Sequence, residues 1–185
     1  MDPIEIISRF YDNNSKAFDI LVKHGKDVTR KALETAHKVS HLNPDIDFIK
    51  EAAMLHDIGI YMTHAPDLGC TGPHPYICHG YLGRALMESI GLPVHGLVCE
   101  RHVGVGITIQ DIKKQKLPLP MRDMLPVSLE EKIICFADKF YFKSKGGSKG
   151  QLTVKHIKKA VNVFGNDNAN RFQALLDLFN EPLST

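Results

Sequence analysis

The chain has no tryptophan, and its four cysteines, at 70, 78, 99 and 135, form no C-x-x-C pair. That spacing excludes a zinc knuckle and a redox dithiol, because both need paired thiols. His74 lies between Cys70 and Cys78, but three ligands in one loop with no fourth do not make a metal site. Long apolar runs are also missing. None approaches the ~20 residues of a membrane helix, so no membrane association is expected. The N-terminus, Met1-Asp2-Pro3-Ile4-Glu5, lacks the basic and then apolar segments of a signal peptide. The expected location is cytoplasmic, where the thiols stay free. Charge of one sign is scarce too: 23 Lys and Arg against 21 Asp and Glu leave a surplus of +2. Without a strong basic patch, no nucleic-acid partner is expected. No pattern sets an oligomeric state.

What is present is ordinary in bulk and unusual in one residue. In 185 residues, 43% are hydrophobic and 24% charged, which suits a globular chain and excludes disorder as the main state. Histidine stands out, with ten copies. It is a frequent metal ligand and acid–base group, so the position of each matters.

The periodicity is mostly helical. Asp2-Pro3 opens a short helix through about Tyr11. Ser15 caps a second, with Ala17, Phe18, Ile20 and Leu21 on one face. Gly25 interrupts the pattern, and Val28, Ala32, Leu33, Ala36 and Val39 resume it, so two helices are expected to join near 23–25. Asp47 is the expected cap of the next helix, which ends at Ile58-Gly59 with glycine as terminator. Residues 62–75 read as loop. Helices follow over 76–90 and from Pro93 to His102, and Gly104–Ile109 reads as a brief extended piece. Residues 113–126 are expected to cross the surface. Ser128 and Glu131 form a capping box for an apolar helix. A glycine and lysine loop spans 144–150, and the last helices cover about 153–180. The expected fold is all-α, a single-domain helical bundle over 1–185.

The histidines fall on different expected helices: His24, His56 beside Asp57, His79 and His102. Asp138 lies among Cys135, Phe136, Ala137, Phe140 and Tyr141. A buried carboxylate there needs a partner, and a cation would serve. A bundle can aim such groups at one interior point. His37, His41, His95 and His156 lack such placement and read as structural or surface groups.

Leu55-His56-Asp57-Ile58-Gly59, with His24 before it and Asp138 after it, resembles the HDIG signature of the HD superfamily of metal-dependent phosphohydrolases. His79 and His102 fit the places of the extra histidines in two-metal members. The resemblance spans about 24–138. Ile60 after the motif, Arg101 before His102 and the lack of Gly-Tyr-Pro set the chain apart from members that cleave cyclic dinucleotides. The resemblance implies an HD-type bundle and a small phosphorylated substrate, such as a nucleotide. It also implies hydrolysis by metal-activated water, with His56 and Asp57 as the catalytic pair. The first metal would take His24, His56, Asp57 and Asp138, and the second Asp57, His79 and His102. Such ligands suit Fe, Mn, Co, Ni or Zn. A mixed-valent di-iron oxygenase of a small organic substrate is the alternative in the same superfamily. His64, His74 and Arg84 are the candidate substrate contacts. Lys143, Lys145 and Lys149 read as solvated charges, and Arg101 and Lys139 as pointing away from the site.

Overall fold

The computed structural model describes residues 1–141, 143 and 151–181. The expected loop over 144–150, with Lys145 and Lys149, lies outside the described residues.

Helix α1 is Pro3–Ser8, capped by Asp2, whose carboxylate accepts from the Ile4 N–H. Helix α2 runs unbroken from Lys16 to Lys38, with Ser15 accepting from the Phe18 N–H. The expected break at Gly25 is absent. An added Cβ there would stand 3.2 Å from the Met54 backbone, so this glycine lets another helix approach closely. That helix is α3, Ile46–Leu55, capped by Asp45 rather than Asp47. It also stops earlier than expected, at His56, and a 3₁₀ turn follows over Ile58–Met62.

The all-α expectation is corrected here. Strands β1 (His64–Ala65) and β2 (Cys70–Thr71) pair antiparallel, in a register of His64 with Thr71 and Ala65 with Cys70. Gly69, at φ +85°, turns the chain between them. Two-residue strands carry no readable alternation, which is why the stretch reads as loop.

Helices α4 (His79–Ser89) and α5 (Pro93–Arg101) form a tight hairpin. Its faces meet through glycine: a Cβ on Gly80 would lie 2.9 Å from the Cys99 carbonyl, and one on Gly96 3.0 Å from that of Arg84. Helix α6, Ile109–Gln115, was not expected; Thr108 and Asp111 close a full capping box at its start. Helix α7, Leu129–Asp138, has the Ser128 cap, but Glu131 accepts from Val127 N–H and Arg101 instead of closing the box. Helices α8 (Val154–Asn162) and α9 (Asn166–Leu178) pack on α7 through Phe136, Ile157, Phe172 and Phe179, in one apolar cluster. A second cluster joins α1, the start of α2, the end of α3 and α4 through Ile7, Leu21, Leu55 and Met87. Among the described residues, no helix is long and apolar enough to cross a membrane.

Candidate metal centre

Five helices deliver the six expected ligands. His24 comes from α2, His56 and Asp57 from the end of α3, His79 from the start of α4, His102 from the cap of α5, and Asp138 from the last position of α7. All six are buried, between 0% and 7% exposed. They converge in two groups that share Asp57: His24, His56, Asp57 and Asp138, then Asp57, His79 and His102.

The distances are close. His24 Nε2 lies 2.9 Å from Asp138 Oδ1 and 3.3 Å from Asp57 Oδ2. His56 Nε2 is 3.0 Å from Asp57 Oδ2. On the other side of the carboxylate, His79 and His102 Nε2 stand 3.4 and 3.3 Å from Asp57 Oδ1.

Local backbone sets the tautomers. His56, His79 and His102 each place Nδ1 2.7 Å from the carbonyl three residues earlier, on Ala53, Tyr76 and Cys99. Nδ1–H donates there, so in the neutral ring Nε2 is a lone pair aimed inward. His79 and His102 then face each other with Nε2 atoms 3.3 Å apart. Lone pairs facing lone pairs and carboxylate oxygens repel, unless a proton or a cation lies between them. Among the described residues, the buried His24 Nδ1 and His56 Nε2 have no hydrogen-bond partner.

Burial depresses His79 to about 3 and His24 to about 4, and lowers His102 as well. His56 is raised to about 9: burial opposes its charge, but the Asp57 and Asp138 carboxylates prevail. Burial also disfavours charge on Asp57, yet His56 and Lys143 hold it well below the usual carboxylate range. One protonated imidazole among neutral ones is the state that the two carboxylates support.

Lys143 is the residue that sequence reasoning misread. Its Nζ lies 2.7 Å from Asp57 Oδ2 and 3.8 Å from Asp138 Oδ1, with the side chain 13% exposed. Lys139, also misread, donates to Asp138 Oδ2 at 2.8 Å. Charge in a glycine-rich surrounding carries no sequence signal of burial; the placement follows from where α7 ends.

The substrate-contact expectations divide. His64 is exposed and lines a cavity of about 630 Å³ that reaches Asp138, Lys139 and Lys143. His74 is held in a backbone ladder, its N–H donating to Met62 O at 3.3 Å and its carbonyl accepting from His64 N–H at 2.7 Å. Arg84 is elsewhere, paired with Glu88 at 2.7 Å and with the buried Glu100 at 2.6 Å. Arg101 pairs with Glu131 at 2.9 Å, away from the cluster as expected.

The fold and site define a mainly helical protein with a buried imidazole–carboxylate cluster. The chain belongs to the same family as the uncharacterized protein MJ0778 of Methanocaldococcus jannaschii. The two are 33% identical over 128 residues, 68% of each chain. Two further relatives are named tRNA (cytidine(56)-2′-O)-methyltransferase. The protein from Thermoplasma volcanium is 29% identical over 146 residues, and that from Picrophilus torridus 28% over 147 residues. These alignments cover 78% and 79% of this chain, but only 38% of each methyltransferase. No family model matches the chain, and no solved structure matches it.

These relatives correct several expectations. Membership in the HD superfamily and an HD-type bundle are not supported, since no family model matches and the named relatives are methyltransferases. The activity in those names is methyl transfer, so the phosphohydrolase does not stand, nor does the oxygenase alternative. The pair of Fe, Mn, Co, Ni or Zn ions expected as a hydrolase cofactor falls with that reaction. A small phosphorylated substrate with no nucleic-acid partner is corrected as well, because the relatives are named for tRNA. Net charge misled here: a surplus of +2 says nothing of how charge is distributed around one site.

Proposed function

We propose that this chain is a metal-binding helical module that serves tRNA 2′-O-methylation. The RNA side of the reading rests on the named relatives. The observation that carries the metal side is the set of inward-facing Nε2 atoms around Asp57. Three of them are oriented by backbone carbonyls, and the donor set of imidazole and carboxylate suits a bound metal ion. His24, His56, Asp57, His79, His102 and Asp138 are the ligands in this reading.

A methyltransferase needs a methyl donor, and S-adenosylmethionine is the expected one. The described residues of this chain do not fit it. An adenosyl group commonly sits at the carboxyl ends of parallel strands, and the sheet here is two antiparallel strands of two residues each. We therefore assign the donor site to the part of the relatives that this chain does not span. This chain's share is contact with RNA, whose phosphates suit a site of bound cation and lysine.

The test has two arms. Fluorescence anisotropy with a tRNA transcript is expected to show binding that weakens as salt rises. Calorimetric titration with S-adenosylmethionine is expected to show none. Absence of tRNA binding at low salt overturns the RNA role. Methyl transfer to tRNA by this chain alone overturns the division of labour.

A further inference from the structure

The lining of the cavity beside the cluster is of two unlike kinds. Its charged residues are Lys139 and Lys143, with Asp138 and Asp67. Its apolar residues include one face of α8 and the turn after it: Ile157, Ala160, Val161 and Phe164, spaced as i, i+3, i+4 and i+7. Phe164 is 61% exposed at that turn, beside Val163 at 79%. A large apolar group at a cavity mouth is costly in water and favours a cover. Among the described lining residues, Asn168 is the uncharged amide on this side, and both its ends are engaged. Its Nδ2 donates to Phe164 O at 3.2 Å and its Oδ1 accepts from Arg171 at 3.1 Å. The wall therefore offers a nucleobase or ribose few free partners, while it offers an alkyl or aryl body continuous contact. The volume, about 630 Å³, lies within the range of small-molecule sites.

We propose that this cavity binds an anion with an apolar body, the head against Lys139 and Lys143 and the body along the 157–164 face of α8. The proposal does not rest on the relatives, and it gives the same lysines a different ligand from the tRNA reading.

The test is calorimetric titration of the full chain with three probes: octyl phosphate, inorganic phosphate and adenosine monophosphate. Each buried methylene is worth about fourfold in affinity. Octyl phosphate is thus expected to bind more than tenfold tighter than either other probe. Phe164→Ser changes an exposed side chain, and it should weaken octyl phosphate at least threefold while leaving inorganic phosphate unchanged. Lys143→Gln should weaken both. Equal affinity for octyl and inorganic phosphate, tighter binding of adenosine monophosphate, or no binding of any probe overturns the proposal. Octyl phosphate binding without tRNA binding leaves the pocket standing and removes the RNA role.

Discussion

Gly59→Ala separates two explanations of the glycine that ends the His56–Gly59 string. If glycine merely terminates a helix in the left-handed region, alanine costs about 1–2 kcal/mol. The structure gives a different reason. A Cβ on Gly59 would stand 2.2 Å from the His79 carbonyl oxygen and 2.5 Å from the Gly83 nitrogen. Both obstacles are backbone atoms of α4, so no side-chain rotation relieves them. The α4 helix must move away from the 58–62 turn. Overpacking costs about 1–3 kcal/mol, and a clash with backbone belongs at or above the upper end. For a chain of this length, about 3 kcal/mol lowers Tm by roughly 6–12 °C. Displacing α4 also carries His79 away from Asp57, so metal affinity should fall with stability. Gly91→Ala is the control. Gly91 sits at φ +80° with none of the described residues within 4 Å of its added Cβ, so only backbone strain of about 1–2 kcal/mol is expected. The assay is thermal unfolding followed by circular dichroism. A Gly59→Ala protein melting within about 2 °C of the parent would refute the close-approach argument.

Other expectations follow from the same packing. Glu181→Gln should cost about 3–5 kcal/mol in urea unfolding at pH 7, because it leaves the buried Lys31, now 2.6 Å from Glu181, without its partner. Burial opposes the Glu181 charge, but Lys31 and Lys38 hold its pKa below 4.5. Its contribution is therefore present above the unfolded pKa and lost as pH falls through the folded one, so parent and variant stabilities should converge in acid. Arg84→Ala should leave metal affinity unchanged while lowering stability by about 1–3 kcal/mol, since Glu100 keeps Arg122 but loses one charged bond; a metal-binding defect would contradict its placement. All four cysteines are free and buried, so a thiol reagent should label them slowly in the folded protein and fully in denaturant.

The clustering of these six residues was legible from one motif string and from histidines on separate expected helices; His56, Asp57, His79, His102 and Asp138 lie at element ends, whereas His24 lies inside α2. Gly25 and Gly59 were misread because a glycine chosen for close approach and a glycine chosen to stop a helix look alike in sequence. Only the neighbour, Met54 or α4, tells them apart. Thr108 and Asp111 carried a readable capping signal for α6, obscured by the glycines before it and the prolines after it. The β1–β2 pair was too short to show a period. Lys143 could not be read at all, since nothing local distinguishes a buried lysine from a solvated one.

Elemental analysis of protein purified without chelator, for the parent and for Asp57→Ala, bears most directly on the cluster. Asp57 is common to both ligand groups and supplies Oδ1 to one side and Oδ2 to the other. The parent is expected to hold metal, and Asp57→Ala to lose most of it while keeping a helical circular dichroism spectrum. A metal-free parent that stays empty on metal titration would contradict the account, as would an Asp57→Ala protein with undiminished metal content.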